Sequence, residues 1–243
     1  MTDPTTYAFS DADRAAVYRA IFTRRDVRSQ FRPDPVPDDV LLRILTAAHH
    51  APSVGFSQPW DFVVIDSTEQ RLAVKEIFER ENARAAENYT GARRDLYRSL
   101  KLEGILDSAV NVCVTCDRKR GGPHVLGRNT VLDADLFSTC LAVENLWLAA
   151  RTEGLGIGWV SILDPTDLSR LLGLPAHVVP LAYLCLGYVT GFLAEPELQA
   201  VGWRDRLPVA GLIHANRWGQ PFRKDEGRRM KDEGTQNQGE GLS

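Results

Sequence analysis

The segment that most restricts the fold is an apolar run over residues 132–152, whose spacing predicts one long helix. Apolar residues occupy two stripes of that helix, Leu136, Cys140, Val143, Trp147 and Ala150 on one and Phe137, Leu141 and Leu148 on the other. A helix that is apolar on so wide a surface has to be covered on more than one side. We therefore expect it to be fully buried, with part of the cover supplied by a second copy of the chain.

Helices and short apolar strands alternate along the rest of the chain. The patterns predict helices over residues 11–23, 38–50, 68–102 and 165–172, and strands over 62–65, 109–116, 157–163 and 178–189. A chain of 243 residues that is 44% hydrophobic can bury one large core. We find no internal repeat and expect a single domain over residues 9–222. Residues 1–8 and the polar tail 224–243 are expected to be disordered.

Composition excludes several classes of protein. A net charge of −3 argues against a general nucleic-acid binder. The first residues are polar and acidic where a secretion signal is basic and then apolar, and no apolar run reaches the ~18 residues that a membrane span needs. We expect a cytoplasmic protein with neither nucleic acid nor membrane as a partner. Cys113 and Cys116 are three residues apart on a predicted strand and would face opposite ways, so we predict no metal site.

Glycines follow the long helix with the spacing GxGxG, at Gly154, Gly156 and Gly158. A dinucleotide-binding fingerprint follows a strand and has a different spacing, so we reject that interpretation. The pattern instead predicts that the helix ends at Gly154 and that a strand follows. Ser161 in that strand can expose its hydroxyl to a bound group.

The densest charge lies in TRRDVRSQF, residues 23–31. Arg24, Arg25 and Arg28 are permanently charged donors suited to a phosphate or a polarised carbonyl. Asp26 among them should stay ionised, and because an anion weakens a phosphate site we expect it to have a separate role. The pattern is also typical of the solvated basic end of a helix.

Two further stretches can contribute to a site. Pro52, Gly55 and Pro59 predict a loop with a fixed path, which can aim backbone amides at a ligand. Near the end of the chain, Arg204 and Arg206 alternate with other residues, so that an extended segment would project both to one side; a solvated tail is the alternative. The basic loop 118–128 is either a lid or without a role.

In order over residues 20–218, the stretches RRDVRSQF, APSVGFSQPWDFVV, GLGIGWVSIL, LCLGYV and WRDRLP resemble the motifs of the flavin-binding nitroreductase superfamily. The resemblance implies an α+β nitroreductase-like fold with a central mixed sheet flanked by helices. It also implies an intertwined homodimer, with flavin sites at the interface and C-terminal arms that cross to the partner. Asp26 stands where ordinary members commonly have serine, and Phe56 where they have asparagine. With Ser161, these residues are most similar to a branch that consumes its flavin.

The resemblance assigns FMN binding to Arg24, Arg25, Asp26, Val27, Arg28, Pro52, Ser53, Ser161, Arg204 and Arg206, with Lys101 as a weaker candidate. Asp26 and Ser161 are the expected catalytic residues. In that branch reduced FMN is the substrate, oxygen is the co-substrate, and 5,6-dimethylbenzimidazole and erythrose 4-phosphate are the products. The resemblance further implies a separate NAD(P)H-dependent flavin reductase as the source of reduced FMN.

Two other functions stay open. One is an NAD(P)H-dependent FMN reductase of nitro compounds or quinones, in which the flavin survives each turnover. The other is a non-catalytic protein that binds flavin and releases no product. A shared fold does not separate these possibilities, because the chemistry depends on the site.

Overall fold

A computed structural model describes residues 7–222 of the chain. The helices are α1 (Asp11–Thr23), α2 (Asp38–His49), α3 (Thr68–Ala86), α4 (Gly91–Ser99), α5 (Ala134–Thr152), α6 (Pro165–Leu171) and α7 (Glu197–Ala200). The strands are β1 (Trp60–Ile65), β2 (Val110–Asp117), β3 (Leu155–Val160) and β4 (Val178–Tyr188). Short 3₁₀ turns lie at Val54–Phe56 and Val209–Leu212. Apart from Tyr7 and Ala8, the tails predicted to be disordered (1–8 and 224–243) lie outside the described residues.

The four strands form one sheet in the order β1-β2-β4-β3, and every neighbouring pair is antiparallel. The predicted α+β arrangement of helices around a sheet is confirmed, but the prediction of a mixed sheet is wrong for the described strands. The one parallel pairing within residues 7–222 is an isolated bridge between Asp26 and Ile157. It forms because the chain leaving α1 runs alongside β3 for only two or three residues.

The two faces of the sheet carry separate cores. On one face, Val112 of β2 and Leu184 of β4 pack with Ile44 of α2 and Leu146 of α5. On the other face, Cys113 and Tyr183 belong to a second core with α3 and α6, which includes Val74, Phe78 and Leu168. Strands covered on both faces need apolar residues at every position, which is why β2 and β4 could be recognised as continuous apolar runs.

Helix α5 is only partly buried within residues 7–222 of one chain, and the cover from a second copy stays a prediction. The side that faces the core carries Ala142, Val143, Leu146 and Ala150. Phe137 and Leu141 of the second stripe are exposed, and so is Cys140. Helix α1 has no buried residue, and Phe22 on it is 69% exposed. These two helices therefore present apolar side chains that the rest of residues 7–222 does not cover.

The largest differences from the predicted element boundaries are in the segment 68–102 and at β3. The charged segment 68–102 contains two helices, α3 and α4, because the chain turns through a left-handed Gly91 (φ +54°). Helix α5 ends as expected before Gly154, which has φ +77°. Strand β3 begins earlier and ends at Val160, so Ser161 follows the strand instead of lying in it. Within residues 7–222 no helix is long and apolar enough to cross a membrane.

Candidate flavin site at the edge of the sheet

The arginine motif is fixed against the free edge of β3. The Val27 amide donates a hydrogen bond to the Ile157 carbonyl (2.9 Å), and the Trp147 indole N–H donates to the Arg25 carbonyl (3.2 Å). Gly158 makes this close approach possible, because a Cβ there would lie 2.1 Å from the Val27 carbonyl oxygen. The glycines rejected as a dinucleotide fingerprint therefore serve to admit the arginine motif.

Asp26 is held at this edge by two donors. Its Oδ1 accepts from the Trp159 amide (3.0 Å), and its Oδ2 accepts from Arg28 Nη2 (2.5 Å). Burial raises the pKa of Asp26, against the lowering effects of Arg28, the Trp159 amide and Arg24. Loss of solvent is therefore the largest influence on the pKa of Asp26, ahead of the guanidiniums around it. A half-buried carboxyl with a raised pKa is suited to taking up and returning a proton.

Arg28 is buried and lies between two carboxylates. Besides Asp26 it faces Glu197 of α7, whose Oε2 is 3.8 Å from Arg28 Nη1. Glu197 was not predicted as a site residue, because a single glutamate in a polar segment carries no periodic signal. Its one sequence cue is its position after Pro196, a few residues before the Arg204 and Arg206 pair.

The other arginines of the motif face a different environment. Arg25 donates to the backbone carbonyls of Phe22, Arg24 and Ala194. Burial lowers the pKa of Arg25, and so do the nearby charges of Arg206, Arg24 and Arg151. We call Arg24, Arg25, Arg151 and Arg206 the cationic cluster.

Within the cationic cluster, Arg24 and Arg206 are the members best placed to meet an anion. Arg24 is half-buried, with Nε 3.3 Å from Glu144 Oε1 and its guanidinium 5.0 Å from the centroid of Trp147. Arg206 is exposed. Arg151, which stacks 4.0 Å from the centroid of Phe192, was not predicted, because one arginine at the end of an apolar helix is unremarkable.

Ser161 lies two residues beyond Trp159, the residue whose amide binds Asp26. Its side chain is exposed and lines a cavity of about 450 Å³ with Glu81 and Arg84 of α3 and with Asn88, which follows that helix. Asp26 and Ser161, the predicted catalytic pair, are thus both at the β3 edge of the sheet.

Pro52 and Ser53 lie at the opposite edge, in the loop 52–58 that leads into β1; we call this segment the proline loop. The strand order places three strand spacings, roughly 14 Å, between β1 and β3. Within one chain these two residues therefore do not meet Asp26. The loop is tied down locally, since Ser53 Oγ accepts from the Gln58 amide (3.0 Å) and the Val54 amide donates to Ser138 Oγ (3.0 Å).

The proline loop has an unusual backbone. Phe56 and Gln58 adopt left-handed conformations (φ +53° and +47°), as does Gly55 (φ +54°). Such conformations are unfavourable for residues other than glycine and persist only where surrounding contacts impose them. The Phe56 side chain is 82% exposed.

The basic loop 118–128 supplies those contacts. Arg120 donates to the carbonyls of Gln58 (3.0 Å) and Trp60 (2.7 Å) and to both carboxylate oxygens of Asp61. At Gly55 an added Cβ would lie 2.7 Å from Val125 Cγ1. The basic loop is in turn anchored by Arg118 and Arg128, which bind the fully buried Asp135. The basic loop therefore braces the proline loop, a contact that was not predicted; whether the loop is also a lid stays a prediction.

The remaining predicted residues are Lys101 and Arg204. Lys101 donates to Asp107 Oδ2 (2.5 Å), and its loop approaches the arginine motif, because a Cβ at Gly104 would lie 3.1 Å from the Arg28 carbonyl oxygen. Arg204 is exposed and makes only a backbone contact, from its amide to the Leu198 carbonyl (3.4 Å). Trp203 beside it is held by Arg93, whose guanidinium stacks 3.4 Å from the centroid of the indole.

The β3 edge has unused hydrogen-bonding capacity. In the described part of the chain, six buried side-chain polar atoms lack a partner, and three of them are Arg25 Nε, Arg28 Nε and Glu197 Oε2. Buried polar atoms without a partner are rare in proteins and commonly mark the place of a bound molecule. Together with the cationic cluster, they fit a ligand that carries both a negative charge and neutral donors and acceptors.

Comparison with known proteins extends the resemblance seen in the motifs. The chain is 42% identical over 185 residues to a 5,6-dimethylbenzimidazole synthase of Rhodospirillum rubrum, covering 76% of this chain and 87% of that protein. A protein of the same name from Rhodobacter capsulatus is 38% identical over 201 residues, covering 83% and 97%.

Solved structures share the fold at lower identity. A BluB-like flavoprotein from Clostridium difficile superposes with a TM-score of 0.63 at 20% identity, covering 83% of this chain and 99% of that one. An iodotyrosine deiodinase bound to FMN and 3-iodo-L-tyrosine also gives 0.63 at 20% identity, covering 79% and 96%. Residues 21–188 match the family described as "Nitroreductase family". The chain therefore belongs to the nitroreductase family.

Proposed function

We propose that this protein is an enzyme that converts reduced FMN and oxygen into 5,6-dimethylbenzimidazole and erythrose 4-phosphate. The observation that carries the proposal is Asp26, a half-buried carboxyl with a raised pKa at the edge that also holds the arginine motif and Ser161. The names of the relatives at 42% and 38% identity support it.

The charges at the β3 edge suit the two ends of FMN. Its phosphate is a dianion, and Arg206 offers an exposed guanidinium while Arg24 is paired with Glu144, a half-exposed carboxylate, at 3.3 Å. Arg28, in contrast, is buried, is already paired with Asp26 and faces Glu197. We therefore assign the phosphate to the cationic cluster and the flavin ring to Asp26, Arg28 and Ser161. Val27 contributes by fixing the motif on β3, and Arg25 by tying the segment around Ala194 to it.

Asp26 is proposed to move the proton that fragmentation of the substrate requires. Reduced FMN supplies the electrons that oxygen accepts and is itself broken apart in the reaction. The Trp159 amide and Arg28 hold the Asp26 carboxyl in one orientation, and its raised pKa brings proton exchange closer to neutral pH. Ser161, directly after β3, presents its hydroxyl to orient the flavin ring.

The site is proposed to be completed by a second copy of the chain. Pro52 and Ser53 are too far from Asp26 within one chain, and α1 and α5 present apolar side chains that the rest of residues 7–222 leaves uncovered. A homodimer that covers α1 and α5 accounts for both observations. In this dimer the proline loop of one copy faces the β3 edge of the other, and the C-terminal arm crosses to the partner. A separate cytoplasmic NAD(P)H-dependent flavin reductase is proposed to supply reduced FMN.

The test is to incubate the purified protein in air with FMN, NADPH and an unrelated flavin reductase, and to separate the products by chromatography. We expect 5,6-dimethylbenzimidazole to form as flavin is lost in equal amount. Recovery of intact oxidised FMN, with no benzimidazole, would contradict the proposal. The next substrates to test would then be nitro compounds and quinones, with the flavin recycled.

A further inference from the structure

Arg28 is held by carboxylates from two distant parts of the chain. Its side chain is only 10% exposed, with Asp26 Oδ2 2.5 Å from Nη2 and Glu197 Oε2 3.8 Å from Nη1. The second distance is too long for a hydrogen bond. Glu197 therefore faces the guanidinium without binding it directly.

Each of the two residues has an unused polar atom. Arg28 Nε is a buried donor without a partner, and Glu197 Oε2 is a buried acceptor without one, among the residues that the structure describes. A group that fits here has to accept a hydrogen bond from Arg28 and donate one to Glu197.

The charges narrow the choice of group. Asp26 and Glu197 carry two negative charges against the single positive charge of Arg28, so a phosphate would be repelled, and it has no proton to donate near neutral pH. An imide offers a carbonyl oxygen beside an N–H in one rigid plane. The pyrimidine ring of a flavin carries such an imide at N3.

Resting on the proposed function, we propose that Glu197 is a further flavin-binding residue, which accepts a hydrogen bond from the flavin N3–H while Arg28 donates to the adjacent carbonyl oxygen. The pair would then orient the ring relative to Asp26, since the same guanidinium contacts both. Glu197 also links ring binding to the segment that carries Arg204 and Arg206, because α7 lies directly before it.

The experiment compares the binding of oxidised FMN and 3-methyl-FMN, in which a methyl group replaces the N3 proton, by quenching of flavin fluorescence. A hydrogen bond to a charged acceptor contributes enough that the wild type should bind 3-methyl-FMN about 10-fold or more weakly than FMN. Glu197→Ala should bind FMN about 10-fold more weakly than the wild type does, and should bind the two flavins within about 2-fold of each other.

Glu195→Gln is the matched control, because Glu195 is exposed, two residues away, and its Oε2 accepts only from Gln199 Nε2. It should discriminate between the two flavins as the wild type does. If thermal unfolding shows that Glu197→Ala does not fold, Glu197→Gln replaces it; this variant keeps an acceptor without the charge, so its discrimination should fall below that of the wild type.

Equal binding of the two flavins by the wild type would overturn the proposal, as would full discrimination by the Glu197 variants. A water molecule that satisfies both atoms would produce the first result. Because oxidised flavin is not turned over, the outcome is independent of product formation. A protein that discriminates between the flavins but makes no benzimidazole would contradict the proposed function and leave this inference standing.

Discussion

The two edges of the sheet differ in how completely their charged groups are paired. At the β3 edge, the buried Arg28 and the partly buried Glu197 have atoms without hydrogen-bond partners among the described residues, and the cationic cluster gathers like charges. At the β1 edge, Arg120 uses four hydrogen bonds on the proline loop and Asp61, and Asp135 is enclosed by Arg118 and Arg128. The first edge is arranged to receive a charged ligand, and the second to hold a backbone conformation.

This difference indicates that the two edges have different roles. A buried carboxylate such as Asp135 is stable only with its partners in place, and removing one typically costs about 3–5 kcal/mol. The β1 edge therefore stabilises its strained loop through charged pairs that are already formed. The β3 edge leaves its pairs incomplete, so a ligand can complete them. On this account a working site needs one edge from each of two chains.

The largest effect is expected from Asp26→Asn at the β3 edge. The amide cannot exchange a proton, so the rate of benzimidazole formation should fall about 10²- to 10⁴-fold. Binding of oxidised FMN should change far less, because the hydrogen bond from the Trp159 amide can be kept. Product formation is measured by chromatography and binding by fluorescence. A variant that makes the product at the full rate would exclude the proton-transfer role.

The next largest effect tests how the arginine motif is docked. In Gly158→Ala the new methyl group would lie 2.1 Å from the Val27 carbonyl oxygen, so the motif has to move. Overpacking of this kind typically costs about 1–3 kcal/mol in the free energy of unfolding, and FMN binding should weaken as well. Gly191→Ala is the control, because nothing lies within 4 Å of a Cβ there. If the two substitutions lower the free energy of unfolding in urea equally, β3 does not hold the motif.

A smaller effect is expected at the β1 edge. Arg120→Ala removes the hydrogen bonds to the Gln58 and Trp60 carbonyls, so amides of the proline loop should exchange hydrogen faster. The apparent affinity for FMN should fall about 3- to 10-fold, the loss of one or two modest hydrogen bonds. Arg43→Ala removes a comparable pair of ion pairs, to Asp39 and Glu153, and should leave both measurements unchanged. Exchange that stays slow in Arg120→Ala would mean that the loop keeps its shape without the brace.

The smallest effect is a dependence of stability on pH. Because burial raises the pKa of Asp26 above its ordinary value of 3.8, the folded chain keeps this proton over a pH range in which the unfolded chain has lost it. In that range the free energy of unfolding falls as the pH rises, and the full contribution is present only below about pH 4. Asp26→Asn should lack this decline in urea titrations. At Asp39 the hydrogen bond to Arg43 lowers the pKa, so this residue adds stability as the pH rises. Asp39→Asn should lack that increase. The raised pKa would be refuted if the free energy of unfolding of the wild type does not fall, relative to that of Asp26→Asn, as the pH rises.

Much of the fold could be predicted because its strongest signals are local. The strands β2 and β4 are continuous apolar runs, and Gly154 ends α5 where a left-handed residue is needed. Strand direction could not be predicted, since antiparallel pairing depends on contacts between distant segments. Ser161 fell outside its strand for a related reason: the apolar run continues through Ile162 and Leu163 after the pairing with β4 has ended.

The candidate site could be predicted only as separate pieces. The arginine motif and the proline loop stand out by composition, but nothing in the sequence places them at opposite edges of one sheet. Glu197 and Arg151 gave no signal, because their importance arises from what the fold brings beside them: Arg28 in one case and Arg25 in the other. The brace from Arg120 was likewise hidden in a loop whose charges resemble any solvated basic stretch.

The most direct test of the two-edge account is subunit mixing. Asp26→Asn damages the β3 edge, and Gly55→Val damages the β1 edge, because a side chain there meets Val125 and the Leu126 backbone at a left-handed position. Each variant alone should be nearly inactive. Mixed dimers, purified through two different tags, should recover about half of the wild-type rate of benzimidazole formation, because one of their two sites combines intact edges from the two chains. Mixed dimers that fold and assemble but stay as inactive as their parents would contradict a site shared between chains.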